Sequence, residues 1–139
     1  MARAEHLPIY KQAYDLCLYI EHVVRGFDRY HKYTIGTDLR DTARRVLKLI
    51  VRANARRDRS DVLLAIREEV EQLKVLLRLA HDVKAFARSS SFEHAVTLTV
   101  EIAKQNEGWL KSQRQSHGPT GAGQNRRAMP VRLADPSVP

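Results

Sequence analysis

The residues best able to do chemistry are few in this sequence and lie far apart. Six histidines occur, but no two of them are three or four residues apart, the spacing that places two side chains on one face of a helix. The Glu-x-x-His pairs that build di-iron sites in helical bundles are absent. Glycine-rich phosphate loops and nucleophile elbows are absent too. We therefore expect no enzyme, no metal site and no cofactor.

The single cysteine, Cys17, lies in a helical apolar pattern, which favours a buried structural thiol over a nucleophile. One cysteine excludes an intrachain disulfide and fits a reducing compartment. Charged residues interrupt the apolar residues near the N-terminus, so no signal peptide is expected. The longest uncharged stretch of the helical part, residues 94–100, is far too short to span a membrane. We expect a cytoplasmic protein without a membrane partner.

Positive charge is the chemical property that sets this sequence apart. The 139 residues include 24 Lys and Arg against 16 Asp and Glu, a formal net charge of +8. Residues 35–59 carry eight cations against three acids, and residues 114–139 carry four arginines against one acid. Such a charge serves solubility alone, or it meets an anionic partner such as nucleic acid or an acidic protein. The eight cations are Arg40, Arg44, Arg45, Lys48, Arg52, Arg56, Arg57 and Arg59.

Within this segment a row of cations recurs every four residues. Like charges at that spacing repel by a few tenths of a kcal/mol per pair, so helix stability does not account for the row. On a helix the row winds slowly across the surface and is suited to follow a phosphate backbone. The alternative is a solvated face paired with acids of a neighbouring helix, such as Glu68, Glu69 and Glu71. The row consists of Arg40, Arg44, Lys48, Arg52 and Arg56.

Four segments with helical periodicity would position these cations. The pattern predicts helices over residues 8–29, 37–56 and 61–87, and a fourth that begins near Ser90 and fades after Lys111. Thr37 and Ser60 look like N-caps, and Ser90 with Glu93 has the spacing of a capping box. Short connections require neighbouring helices to be antiparallel. We predict an all-α, up-down-up-down four-helix bundle over residues 1–113, followed by a disordered basic tail over 114–139.

The apolar faces of these helices differ in width. The third helix has one narrow seam, formed by Leu63, Ile66, Val70, Leu73, Leu77 and Ala80. The first helix has a face too wide for a single seam, which predicts packing on two neighbours or on another subunit. Trp109, near the end of the fourth helix, is expected to pack in the core or an interface rather than to stack on bases. The wide face comprises Tyr10, Tyr14, Cys17, Leu18, Ile20, Val24 and Phe27, flanked by Leu16, Tyr19 and Val23.

Five strings carry a resemblance to a known family. In chain order they read IYKQAYDL (9–16), HKYTIG (31–36), LIVRAN (49–54), LLRLAHD (76–82) and EIAKQNEGWLKS (101–112). Over residues 7–113 the chain resembles the accessory variability determinant (Avd) proteins of diversity-generating retroelements. These belong to a four-helix-bundle family that is related to ribosomal-RNA intervening-sequence proteins.

The resemblance implies a role that the spacing of residues does not show. Avd proteins form a homopentameric ring with a positive surface, lack catalytic residues and bind the reverse transcriptase of their element. They associate with RNA, with DNA as a further candidate, during mutagenic retrohoming, when template RNA is copied with adenine-directed errors into cDNA. The basic residues in the matching strings are Lys32, Arg52 and Arg78.

The sequence departs from its relatives at two turns. It has Phe27-Asp28-Arg29 where many relatives have Phe-Pro-Lys, and Glu107-Gly108-Trp109 where they often have Gly-Gly-Trp. The larger, charged residue at the second place is expected to alter packing between subunits. The competing hypothesis is a basic oligomeric scaffold that binds proteins without contacting nucleic acid.

Overall fold

The computed structural model describes residues 3–117 and is helical over most of that length. Four long helices form the molecule: α1 (Pro8–Arg25), α2 (Ile35–Asn54), α3 (Ser60–Asp82) and α4 (Ser89–His117). A 3-10 turn, Ala4–His6, precedes α1, and a one-turn helix, Arg29–Lys32, lies between α1 and α2.

The four long helices pack as a closed ring around one core. Each lies against two others: α1 against α2 and α4, and α3 against α2 and α4. Short connections make successive helices antiparallel. The all-α four-helix bundle predicted from the sequence is confirmed. No helix in the described part combines the length and the apolar character that a membrane span requires.

The structure describes only the first four residues of the predicted tail, 114–117. Residues 114–117, assigned to the tail from their composition, instead continue α4 to His117. The fourth helix therefore does not fade after Lys111. The remainder of the predicted disordered tail, residues 118–139, lies outside the described residues.

The first helix ends earlier than its periodicity suggested. α1 stops at Arg25, where the Gly26 N–H donates to the Val23 carbonyl and the Phe27 N–H donates to the Val24 carbonyl, each at 3.0 Å. Asp28 then caps the one-turn helix, since its Oδ1 accepts a hydrogen bond from the His31 N–H at 3.0 Å. The polar connection predicted over residues 30–36 is therefore partly helical, and the prediction of one helix over 8–29 was wrong.

The second helix begins before Thr37, so the predicted cap at that residue was wrong. Thr34 holds the N-cap position, but its hydroxyl donates to the Tyr30 carbonyl at 2.8 Å instead of capping α2. Gly36 lets this first turn pack closely on α1: a Cβ there would lie 2.7 Å from Cγ1 of Val24. Tertiary packing, rather than a side-chain cap, sets this boundary.

The third helix is shorter than expected at its C-terminal end. It stops at Asp82 rather than near Ala87, because Lys84 adopts a left-handed conformation with φ of 65°. The Ala85 N–H then bonds the Ala80 carbonyl at 2.9 Å, as in a Schellman motif. At the other end Ser60 is the first helical residue rather than the cap. α4 likewise begins at Ser89, one residue before the predicted capping box.

The core confirms the predicted apolar face of α3 and leaves part of the wide face of α1 exposed. All six residues of the α3 seam are buried. On α1, however, Tyr14 and Leu18 are 46% and 56% exposed. Two overlapping apolar stripes run along α1, and Ala13 permits close approach of the neighbouring helices on only one of them. The buried stripe consists of Ile9, Ala13, Leu16, Ile20 and Val24, with Phe27 beyond the helix end.

Polar residues are buried at seven-residue steps on α4, namely Thr99, Asn106 and Gln113. The Asn106 side-chain amide donates to the Leu63 carbonyl of α3 at 2.9 Å. The Gln113 amide nitrogen lies 3.5 Å from the Arg57 carbonyl. These contacts hold the last turns of α4 against α3 and the α2–α3 turn.

Candidate nucleic-acid interface

The predicted cationic row runs diagonally across the outer face of α2. Near the start of the row, at the edge that α2 shares with α1, Arg44 forms an ion pair with Glu21. Arg44 also forms an ion pair with Asp41 of its own helix, with an N–O distance of 3.8 Å. Arg40, half-buried one turn earlier, donates to the Thr37 hydroxyl at 3.4 Å. The first two members of the row are thus engaged within the bundle.

At the edge shared with α3, two more cations have acidic partners. Arg45 pairs with Glu69 of α3 at 3.1 Å, and not with Asp41 of its own helix. Arg56, the last member of the row, lies 3.6 Å from a carboxylate oxygen of Asp61. The pairing of this face with acids of a neighbouring helix, considered as the alternative, therefore holds for part of the row. Exposed ion pairs contribute only about 0–1 kcal/mol each, so a phosphate could displace them at little cost.

The middle of the row is free. The side chains of Lys48 and Arg52 are exposed and make no ion pair or hydrogen bond with any residue that the structure describes. The same is true of the Arg57 side chain in the α2–α3 turn. These three cations are open to an external anion.

The end of α4 lies beside this turn. The Arg59 guanidinium carbon lies 5.3 Å from the centre of the Trp109 ring, a cation–π contact. Arg59 also donates twice to the Arg56 carbonyl, at 2.6 and 3.0 Å. Trp109 is half-buried and packs against the hydrophobic core, consistent with the packing role expected for it.

Two segments far apart in the sequence therefore meet at one end of the bundle. Arg114, in the last turn of α4, is exposed two turns beyond Glu107. Two hydrogen bonds from Arg67 to Glu107, at 2.8 and 2.7 Å, hold the pKa of that carboxyl below its ordinary value. Arg67 thereby offsets the charge of Glu107, a carboxylate that also interacts electrostatically with Arg114. We call this surface the basic end; it comprises Lys48, Arg52, Arg57, Arg59 and Arg114.

The remaining candidate residues lie elsewhere. Lys32 ends the one-turn helix and is half-buried. Arg78 pairs with Asp82 at 3.4 Å near the C-terminus of α3. Both lie at the other end of the bundle, about 30 Å from the basic end by the length of the helices. Conversely, Arg114 was assigned to the tail in sequence, and only the continuation of α4 shows that it belongs with Arg52 and Arg57.

Comparison with known proteins agrees with this architecture. A family model described as bAvd-like matches residues 7–113, which comprises α1 to α3 and α4 up to its last turn. No curated protein matches the chain. The family match includes four of the five residues of the basic end, and Arg114 directly follows it. Since the match covers most of the sequence, this chain belongs to the bAvd-like family.

Proposed function

We propose that this protein is a non-enzymatic accessory protein of a diversity-generating retroelement. It acts in the cytoplasm, where it binds the reverse transcriptase of the element together with template RNA or the cDNA copied from it during mutagenic retrohoming. Membership of the bAvd-like family supports the association with a retroelement. The observation that supports nucleic-acid binding is the basic end, where two basic segments meet around three unpaired cations.

Physical considerations favour phosphate as the ligand of the basic end. Lys48 and Arg52 lie one helical turn apart on the outer face of α2, and Arg57 follows in the next turn of the chain. Each cation that contacts a phosphate releases a condensed counterion, so affinity rises with each contact and falls with salt. The sequence after residue 117 contains three more arginines, Arg126, Arg127 and Arg132.

A salt series with two charge-matched variants tests this proposal. The affinity for a single-stranded RNA is measured by fluorescence anisotropy for the wild type, for K48A/R52A/R57A, and for the control R29A/K74A/K104A. Both variants lose three cations, but the control loses them away from the basic end. We expect the first variant to reduce the salt slope by about 2, since each phosphate contact on a single strand contributes about 0.7.

Two outcomes would count against nucleic-acid binding at this surface. One is the absence of RNA binding by the wild type at low salt. The other is an equal loss in both variants, which would show that net charge rather than position matters. The first outcome, combined with retained binding to the polymerase, would favour the protein-interaction scaffold.

Co-purification tests the polymerase partner separately. The tagged protein is expressed with the reverse transcriptase of its element, and recovery is measured with and without ribonuclease. A direct contact predicts recovery in both conditions. Failure in both rejects the proposed role, whereas recovery only without ribonuclease assigns the link to RNA.

We also propose that the protein assembles as a ring, a homopentamer by resemblance to its family. One exposed apolar patch lies along the groove between α1 and α2. Because Arg44 pairs with Glu21 across antiparallel helices, Val51 lies level with Tyr14, two turns from that pair. The α1–α2 patch consists of Tyr14, Leu18 and Val51, exposed by 46%, 56% and 44%.

A second exposed apolar patch lies on α3, across the diagonal of the bundle from α1. We call Val75, Leu79 and Val83 the α3 patch; Tyr30 and Tyr33 border it around a shallow groove. A cyclic ring needs two different patches that meet head to tail, because only a two-fold interface can use one patch twice. Two separate apolar patches support such an arrangement.

A further inference from the structure

A cavity lies at the end of the bundle opposite the basic end. Its volume is about 580 Å³, and it opens between the last turns of α1 and the connection from α3 to α4. His22 and Arg25 line it from α1, and Arg88, Ser90 and Ser91 line it from the other side. Neither the family match nor the cationic row of α2 assigns a role to it.

The charges around this cavity are of one sign. No acidic residue is among those that line it. The side chains of Arg25 and Arg88 are exposed and form no ion pair or hydrogen bond with any residue of the described part. By contrast, Arg44, Arg45 and Arg67 each have a carboxylate partner. Two guanidinium groups on facing walls, without an acid between them, are suited to an anion with several oxygens.

The cavity also has aromatic walls that are held in place by the core. The half-buried Tyr19 ring packs edge-on against His94, with ring centres 4.6 Å apart. Phe86 packs edge-on against Phe27 and Phe92, with centres 5.3 and 5.8 Å apart. Both rings line the cavity. Its volume lies within the range of small-molecule sites and is far larger than an inorganic anion needs.

We propose that this cavity binds a phosphate monoester that carries an aromatic base, in other words a nucleotide. Arg25 and Arg88 hold the phosphate oxygens, the hydroxyls of Ser90 and Ser91 supply further donors, and Tyr19 and Phe86 contact the nucleoside. The ligand has two sources, a free nucleotide or the terminal 5′-phosphate of a nucleic acid. The site is separate from the basic end, and it stands whether or not the proposed function is correct.

Calorimetric titration of the full chain with adenosine monophosphate tests the site, and adenosine serves as the probe without phosphate. The variant R25A/R88A removes both guanidinium groups. The control R3A/R29A removes two exposed arginines whose side chains are also unpaired within the described part and which lie neither in the cavity nor in the basic end. We expect R25A/R88A to lose at least about 10-fold in affinity for the monophosphate, the effect of one charge-assisted hydrogen bond or more. The control should change by less than about twofold.

A conservative variant separates recognition from folding. R25K/R88K keeps both charges but loses the forked geometry, so an affinity between those of the wild type and R25A/R88A supports the assignment. Equal binding of adenosine monophosphate and adenosine would overturn the proposal. Binding that is unchanged in a folded R25A/R88A protein would overturn it as well.

Two RNAs of one sequence, with and without a 5′-phosphate, identify the source of the ligand. If the site takes a nucleic-acid end, the phosphate strengthens binding to the wild type and to K48A/R52A/R57A but not to R25A/R88A. If it takes a free nucleotide, adenosine monophosphate binds and the RNA end makes no difference. A loss of RNA binding in K48A/R52A/R57A alone reports on the basic end and leaves the cavity intact.

Discussion

Cys17 lies on the side of α1 that faces α2, near both members of the Arg44–Glu21 ion pair. Burial raises the pKa of its thiol to about 11; Arg44 lowers the pKa and Glu21 raises it, both by smaller amounts. The thiol is therefore protonated throughout the physiological range. This agrees with the structural role that the apolar pattern predicted for it.

We expect Cys17 to resist alkylation in the folded protein. A pKa raised from 9.0 to about 11 lowers the thiolate fraction at neutral pH by about 100-fold, and burial limits access further. The measurement is the rate of carbamidomethylation by mass spectrometry at neutral pH, with and without denaturant. Labelling should become fast only after unfolding. Equal rates in both conditions would show that the thiol is open in the native state.

Individual ion pairs are the feature of this molecule least accessible from sequence. Glu21 and Glu69 lie 23 and 24 residues from the arginines that they bind. Which acid meets which cation depends on the register between helices, and a shift of one turn would exchange the partners. The sequence therefore located the cationic row but could not show that Lys48 and Arg52 would stay free.

The helices themselves were predictable to different degrees, for a physical reason. α3 offers only one apolar stripe, so its buried face could be read directly. α1 offers two overlapping stripes, and only contact with α2 and α4 selects between them. The predicted helix boundaries were wrong where a feature of the backbone sets the end of the helix, such as the left-handed conformation of Lys84 or the close approach of α1 at Gly36.

Two glycines in helices provide a matched test of packing. At Gly36 a Cβ would also lie 3.0 Å from the His31 carbonyl oxygen, so alanine must push α2 away from α1. At Gly108, in α4, nothing lies within 4 Å of the added atom. We expect G36A to lower the free energy of unfolding by about 1–3 kcal/mol in spite of its better helix propensity. G108A should raise it by about 0.5–1 kcal/mol.

Urea denaturation followed by circular dichroism measures both changes. Both variants replace glycine by alanine within a helix, so both gain the same helix propensity. Changes of opposite sign in the free energy of unfolding would therefore come from packing. If G36A were as stable as G108A, α2 would not approach Val24 of α1 as closely as the 2.7 Å distance at Gly36 requires.

At the scale of the whole molecule, the fold assembles surfaces that are dispersed along the chain. The up-down topology places the α2–α3 turn and the end of α4 together, which brings Arg114 to the end of the bundle that carries Arg57. It places the last turn of α1 beside the start of α4 at the opposite end, which forms the cavity lined by Arg25 and Arg88. Exposed apolar side chains are also unevenly distributed over the helices. None of the large exposed hydrophobic residues of the described part lies on α4.

This distribution makes the ring testable by charge substitution. L18E disrupts the α1–α2 patch, and L79E disrupts the α3 patch. T97E adds the same charge to the exposed face of α4 and serves as the control. Light scattering at micromolar concentration should show an oligomer for the wild type and T97E, and smaller species for the other two. A stable wild-type monomer would count against assembly.

Mixing the two variants then distinguishes a head-to-tail ring from a two-fold dimer. In a head-to-tail ring, each single variant is a monomer, because its one intact patch finds no complement. An equimolar mixture should form dimers and nothing larger, because the α3 patch of the L18E protein meets the α1–α2 patch of the L79E protein. If either variant dimerises alone, a patch pairs with its own copy, and closed five-fold assembly through these two surfaces is excluded.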